Sequence, residues 1–134
     1  MSYSNSSAPC IMLVDDNELT NMIHQSLLLN FFSTDSISVH STPEHALQWL
    51  ESARRTGGKL PDLILLDIEM PGMTGWELLE EMRRRQIPVK VCMLSSSIAK
   101  EDVDRQHDFA EVLEYFPKPL AEKHISRILR MAAL

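Results

Sequence analysis

Five residues that can do chemistry stand at the ends of short apolar runs. Asp15 and Asp16 follow "CIMLV", Asp67 follows "LILL", Ser95 follows "VKVCML", and Lys118 follows "VLEYFP". If those ends meet, three carboxylates, a hydroxyl and an ammonium share one small volume. Two carboxylates about 4 Å apart repel by roughly 4 kcal/mol at an effective dielectric near 20. Either one of them takes up a proton, or a cation sits between them. An all-oxygen acidic set without a neighbouring His or Cys suits a hard cation, above all a Mg²⁺ that keeps several waters. With Lys118 added, the cluster is short of one negative group, which a phosphoryl group supplies. An Asp carboxylate can attack phosphorus and form an acyl phosphate. Mg²⁺, Lys118 and the Ser95 hydroxyl would then face the equatorial oxygens during transfer.

The elements around these residues decide whether they meet. Residues 10–14 form an apolar run, followed by "NELTNMIHQSLLLNFF", where Leu19, Ile23, Leu27 and Phe31 recur at helical spacing. "ISVH" at 37–40 reads as a second strand. Ser41, Thr42 and Pro43 open a helix over "EHALQWLESARR", which Gly57-Gly58 ends. "LILLD" is a third strand, "GWELLEEMRRR" a third helix and "VKVCML" a fourth strand. "KEDVDRQHDFA" is a weakly amphipathic fourth helix, "VLEYF" a fifth strand, and "EKHISRILRM" a last helix with Ile125, Ile128 and Leu129 on one face. Apolar strands alternating with helices predict a parallel sheet covered on both sides, a doubly wound α/β domain. In such a sheet, ligands bind beyond the carboxyl ends of the strands. Those are the ends that carry the five residues.

The bulk properties narrow the class. A chain of 134 residues, 44% hydrophobic and 24% charged, makes one soluble domain, expected over residues 10–134 behind a mobile polar tail at 1–9. No output domain is expected. A net charge of −6 argues against a nucleic-acid surface. Arg83-Arg84-Arg85 falls where a helix ends and reads as complementing its dipole. No segment has the length of a membrane span or the pattern of a signal peptide. Cys10 and Cys92 lie in strand-like runs and read as free buried thiols in a reducing compartment, which places the protein in the cytoplasm.

Four motifs in order, each at a strand end, resemble the receiver domain of two-component response regulators: Asp15-Asp16, "LLDIEMPGMTGWELL", "MLSSS" and "FPKP". The resemblance runs from Cys10 to the last helix. It implies a stand-alone, flavodoxin-like domain with five helices and strand order 2-1-3-4-5. It implies that Asp67 is phosphorylated by a sensor histidine kinase or a histidine phosphotransfer protein, with Mg²⁺ as the cofactor. By matching position, Asp16, Asp67 and the backbone carbonyl of Glu69 ligate Mg²⁺ directly, and Asp15 acts mainly through a water. Ser95 is then the switch hydroxyl, Lys118 binds phosphate ahead of a cis Lys118-Pro119 bond, and Tyr115 is the aromatic switch. The implied output surface is the face of the fourth helix, fifth strand and fifth helix. This chain departs from the pattern at Ser95-Ser96, where many relatives have Thr and Ala, and in "DFAEVLEYF", which lacks the usual glycine.

Other residues carry weaker signals. His24, His40, His45, His107 and His124 lack metal-ligand spacing and read as solvated or satisfied side chains. Trp49 and Trp76 read as core or groove fillers, and Met70 and Met73 as loop packing. Two further readings concern the same carboxylates. Phosphatases of the haloacid dehalogenase type also use an Asp nucleophile on a doubly wound sheet, but Glu69 stands where their second Asp belongs, and a substrate cap is missing. A degenerate receiver that binds partners without being phosphorylated is the third reading. Intact acceptor residues argue against it, and the domain is expected to be a signalling phosphoprotein rather than an enzyme with turnover.

Overall fold

The structure, a computed structural model, describes residues 9–96 and 100–134. Most of the expected N-terminal tail, and Ser97 of the "MLSSS" motif, lie outside the described residues. Five parallel strands form one sheet: β1 (Ile11–Val14), β2 (Ile37–His40), β3 (Leu63–Asp67), β4 (Val91–Ser95) and β5 (Val112–Pro117), in the order β2-β1-β3-β4-β5. The helices α1 (Glu18–Leu28), α2 (Pro43–Thr56), α3 (Gly75–Arg84), α4 (Lys100–Gln106) and α5 (Ile125–Ala132) alternate with them. This is the doubly wound order the sequence implied. No helix among the described residues is long and apolar enough to cross a membrane.

Alternation along the strands divides the core. Met12, Val14, Ile64 and Leu66 face Leu47 and Leu50 of α2 and Leu78 and Leu79 of α3. Ile11, Leu13, Leu63 and Leu65 face Leu28 of α1 and Ile125 and Ile128 of α5. β3 is buried along its whole length, which explains why its sequence shows no polar alternation.

Local chemistry sets the helix starts. The Asn17 side chain caps α1 by accepting from the Thr20 N–H. Thr42 caps α2 with Pro43 in its first turn, and Gly57 ends that helix in the left-handed region at φ 76°. Thr74 and Glu77 form a capping box at the start of α3.

Several elements differ from their expected form. The fourth helix is shorter, ending at Gln106, and the chain then turns so that Phe109 enters the core. The last helix begins as a 3-10 turn over Glu122–His124. Cys10 lies just before β1 and is only half-buried, whereas Cys92 is fully buried; neither forms a disulfide among the described residues. The largest difference is the facing of α1. Most of its apolar stripe is not its buried face: Leu19 is 65% exposed, Ile23 45% and Phe31 44%, while Leu27 alone of the four packs partly buried against the core. Asn21, His24 and Leu28 point inward instead. Both sets recur at helical spacing, so periodicity defines the helix without choosing its inner side.

The arginine run does more than complement a dipole. Arg84 and Arg85 pair with Glu81, one turn back on the same helix. Arg83 reaches Glu111 at 2.9 Å and stacks over Phe109, tying α3 to the turn before β5.

Candidate functional site

The parallel register brings the strand ends together. Asp67 closes β3 opposite Leu94 on β4, and Ser95 is the next residue on that strand. The Asp15 N–H donates to the carbonyl of His40 at the end of β2, which holds the loop after β1 against the sheet edge. Asp15, Asp16 and Asp67 each offer a carboxylate oxygen, and these oxygens lie within 4.8 Å of one another. Asp15 and Asp67 are buried, while Asp16 is exposed at the mouth.

Lys118 enters from the end of β5. Its ammonium stands 3.1 Å from Asp15 Oδ2 and 3.1 Å from Asp67 Oδ1. The backbone N–H of Lys118 donates to the Ser95 carbonyl at 3.0 Å, so the lysine stem is anchored to β4. The Lys118-Pro119 bond is cis, as the sequence pattern implied.

Three carboxylates thus face one ammonium. Burial and the neighbouring Asp15 push the Asp67 carboxyl up to about 6, against the opposing pull of Lys118. Burial works against the Lys118 charge, but its bonds to Asp67 and Asp15 outweigh that and raise its pKa above the ordinary lysine value. Asp67 Oδ1 is further held by the Glu69 N–H at 3.3 Å, whereas its buried Oδ2 has no hydrogen-bond partner among the described residues. An unpaired buried carboxylate oxygen beside two more carboxylates is a donor set that fits a hard divalent cation. The carboxylates of Asp15, Asp16 and Asp67 are the oxygens brought together to hold it.

A model of the response regulator receiver domain matches residues 11–130. The chain belongs to that family. Such domains are modules of two-component signalling. This receiver domain is 31% identical over 100 residues to the nitrate/nitrite response regulator NarL of Escherichia coli, covering 75% of this chain and 44% of NarL. It is 31% identical over 121 residues to a probable methanogenesis regulatory protein, FilR2, of Methanothrix harundinacea, covering 87% of this chain and 76% of that protein. The crystal structure of a two-component response regulator from Cytophaga hutchinsonii superimposes with a TM-score of 0.83 at 25% identity, covering 92% of this chain and 96% of that one. The domain therefore spans less than half the length of NarL, a curated relative it matches.

Within the receiver domain, Asp15, Asp16, Asp67 and Lys118 assemble into one cluster, with Ser95 buried at the end of β4 beside it. Glu69 lies on the loop after β3 with an exposed side chain. Tyr115 is not part of the carboxylate cluster. Its hydroxyl donates to the Asp102 carbonyl on α4, and its ring meets Trp76 edge-on at 6.3 Å. Burial and Asp102 push its hydroxyl pKa up to about 12, so it stays a donor.

Three features escaped the sequence reading. Gly75 opens α3 against the site: a Cβ there would lie 2.6 Å from the Asp67 carbonyl oxygen and 3.0 Å from Met93 Cε. Glycine at the start of a helix gives little hint of such a close approach. Trp76 is buried as expected and also donates to Asp102, while Trp49, 39% exposed, lines a groove with Glu81 and Arg85 and stands edge-on to His40. The histidines are less ordinary than their spacing suggested. His24, His40 and His124 are buried, and burial lowers the first two to about 4. His24 Nδ1 and His40 Nε2 find no partner among the described residues, so neither ring is fully satisfied.

Proposed function

We propose that Asp67 is the phosphoacceptor of this receiver domain, loaded from the phosphohistidine of a sensor kinase or a histidine phosphotransfer protein. The observation that carries the reading is the state of the Asp67 carboxylate. It is buried, its Oδ1 is gripped by Lys118 and the Glu69 N–H, and its Oδ2 is unengaged. Holding one oxygen orients the group, which lowers the entropic part of the barrier to attack.

In the reaction, a carboxylate oxygen of Asp67 bonds to phosphorus as the bond from phosphorus to the imidazole nitrogen breaks. The electron pair of that bond leaves on the imidazole, and an acyl phosphate remains on the protein. Lys118 already lies beside the carboxylate and meets the incoming negative charge without reorganisation. Ser95, buried at the end of the adjacent strand, is placed to hydrogen-bond a phosphoryl oxygen. When bound by Asp15, Asp16, Asp67 and the Glu69 carbonyl, Mg²⁺ supplies neutralisation of the equatorial phosphoryl oxygens.

Output leaves through the face made by α4, β5 and α5. The support for this is the link from Tyr115 on β5 to Asp102 on α4, two strand positions from the Pro117 that neighbours Ser95 in register. A hydroxyl drawn toward the phosphoryl group at Ser95 is transmitted along this short path.

The test is incubation with acetyl phosphate, with and without Mg²⁺, followed by intact mass. One phosphoryl group on the wild type with Mg²⁺, and none on Asp67→Asn, is the expected result. Steady release of phosphate with turnover would instead indicate a phosphatase, and absence of any loading would indicate a phosphorylation-independent binding module.

A further inference from the structure

The buried face of α1 carries two polar residues beside Leu28, where a covering helix is ordinarily apolar. Asn21 and His24, one turn apart on that face, are both buried, while Leu19, Met22 and Ile23 stand outside. Each inward polar side chain reaches a different strand-end segment of the acceptor site. Asn21 Nδ2 donates to the Asp15 carbonyl at 2.8 Å. His24 Nε2 accepts the Leu120 N–H at 3.0 Å, across 96 residues of sequence.

These bonds come with unpaired atoms. Asn21 Oδ1 and His24 Nδ1 are buried without a partner among the described residues. Because Leu120 donates into Nε2, the neutral His24 ring carries its proton on Nδ1, so a buried donor is left unsatisfied. A leucine at position 24 would cover the sheet without that defect. Histidine offers something there that an apolar residue cannot.

The segment from Lys118 to Leu120 shows what that is. The Lys118 N–H is bonded to Ser95, and Pro119 has no N–H, so the next backbone donor is that of buried Leu120. His24 is the acceptor for that donor. The segment is thus pinned on one side to β4 and on the other to α1, with the lysine stem between.

We infer that His24 is a positioning residue for phosphoryl transfer: by accepting the Leu120 N–H it fixes the Lys118–Leu120 segment, and so keeps the Lys118 ammonium between Asp15 and Asp67. The inference rests on the reading of Asp67 as acceptor. His24 acts through Leu120 and Lys118 and has no direct role on the phosphoryl group.

The test compares His24→Gln, whose amide oxygen can accept the Leu120 N–H, with His24→Leu, which cannot. Loading from acetyl phosphate with Mg²⁺ is measured beside thermal stability, in the wild-type and Lys118→Ala backgrounds. His24→Leu should load on the order of tenfold more slowly than wild type, and His24→Gln should recover to within about threefold. In the Lys118→Ala background the two His24 variants should load equally, because the lysine they position is gone. On unmodified protein, nitrogen-detected NMR should find His24 protonated on Nδ1 and a through-bond coupling from the Leu120 N–H to Nε2. This holds even if a variant fails to fold. Equal slowing by Gln and Leu, a His24→Leu effect that persists without Lys118, or a ring protonated on Nε2 each overturns the role of His24. Wild type that loads while His24→Leu loads equally well overturns that role alone. Wild type that does not load overturns the acceptor reading and this inference with it.

Discussion

The indole N–H of Trp76 donates to Asp102 Oδ1 at 2.9 Å and so joins the first turn of α3 to α4. The Tyr115 hydroxyl takes the carbonyl of the same residue, so Asp102 is held from α3 and from β5 together. A change in the position of α4 must break or remake both bonds. Loading of Asp67 should therefore change the fluorescence of buried Trp76. Trp49→Phe should keep that response, since the exposed Trp49 lies beside His40 and away from α4. Asp102→Ala should abolish most of it by freeing the indole beforehand. An emission spectrum unchanged by loading in the Trp49→Phe protein would show that the Asp102 clasp does not take part in switching.

Gly75 sets how closely α3 approaches Asp67. Gly75→Ala places a Cβ 2.6 Å from the Asp67 carbonyl and 3.1 Å from Ile68 Cα, and both contacts are with backbone that cannot swing aside. Overpacking of this kind costs about 1–3 kcal/mol. The variant should unfold at lower denaturant concentration and also load more slowly than its lost stability explains, because the atoms displaced belong to Asp67 and Ile68. Chemical denaturation and acetyl phosphate loading on the same samples check both.

The cluster of carboxylates and Lys118 was legible in the sequence because its signal is local. A carboxylate, hydroxyl or lysine that closes an apolar run needs no knowledge of distant residues, and parallel strands carry all such ends to one edge. Capping at Thr42 was legible for the same reason. The facing of α1 was not. Leu19 and Ile23 recur at as regular a spacing as Asn21, His24 and Leu28, and hydrophobicity favours the pair that stays exposed. What turns the helix is the Asp15 carbonyl and the Leu120 N–H, and the second lies far along the chain. Trp76 and Asp102, likewise, become partners only when α3 and α4 pack against the same side of the sheet.

The raised pKa of Asp67 makes stability depend on pH. Its carboxyl titrates near 6 in the folded protein against 3.8 as the ordinary value. A folded value above the unfolded one contributes stability that is present below about pH 4 and is lost as pH rises through about 6. Without divalent cations, the wild type should lose on the order of 1–3 kcal/mol relative to Asp67→Asn between pH 4 and 7. Mg²⁺ should restore the wild type at pH 7 through linkage and leave Asp67→Asn less affected. Thermal unfolding of both proteins across that range, in chelator and in Mg²⁺, measures the difference. A constant gap between them would mean that the cluster's repulsion is relieved in some other way.

Asp15 and Asp16 should separate in their roles. Asp16 is exposed and has no part in the lysine pair, so Asp16→Ala should weaken Mg²⁺ binding with little effect on folding. Asp15 is buried against Lys118 and accepts the Asn17 N–H at 2.9 Å, so Asp15→Ala also removes support for the loop that starts α1. It should destabilise the fold while weakening Mg²⁺ binding less than Asp16→Ala does. Calorimetric titration with Mg²⁺, paired with denaturation, distinguishes the two. Equal Mg²⁺ affinity in wild type and Asp16→Ala would remove Asp16 from the metal site.

Glu69 combines a fixed backbone with an exposed carboxylate at the mouth of the site. Its N–H holds Asp67 Oδ1, which a side-chain substitution leaves in place. The carboxylate could act on the phosphoryl chemistry in two opposed ways. It could orient or deprotonate a water and shorten the life of the acyl phosphate. Alternatively, its charge could repel an anionic donor and slow loading. A carboxylate open to solvent is a weak base toward water. Its charge, in contrast, acts over several ångströms on every approaching donor, although exposure to solvent weakens it. The charge effect should therefore dominate. Glu69→Gln should load roughly two- to threefold faster from acetyl phosphate at low ionic strength, and the gain should vanish near 1 M salt, where the screening length is about 3 Å. Hydrolysis, followed after donor removal, should change little. If Glu69→Gln loads no faster but keeps its phosphoryl group at least tenfold longer, Glu69 is a base in hydrolysis and the repulsion account is wrong.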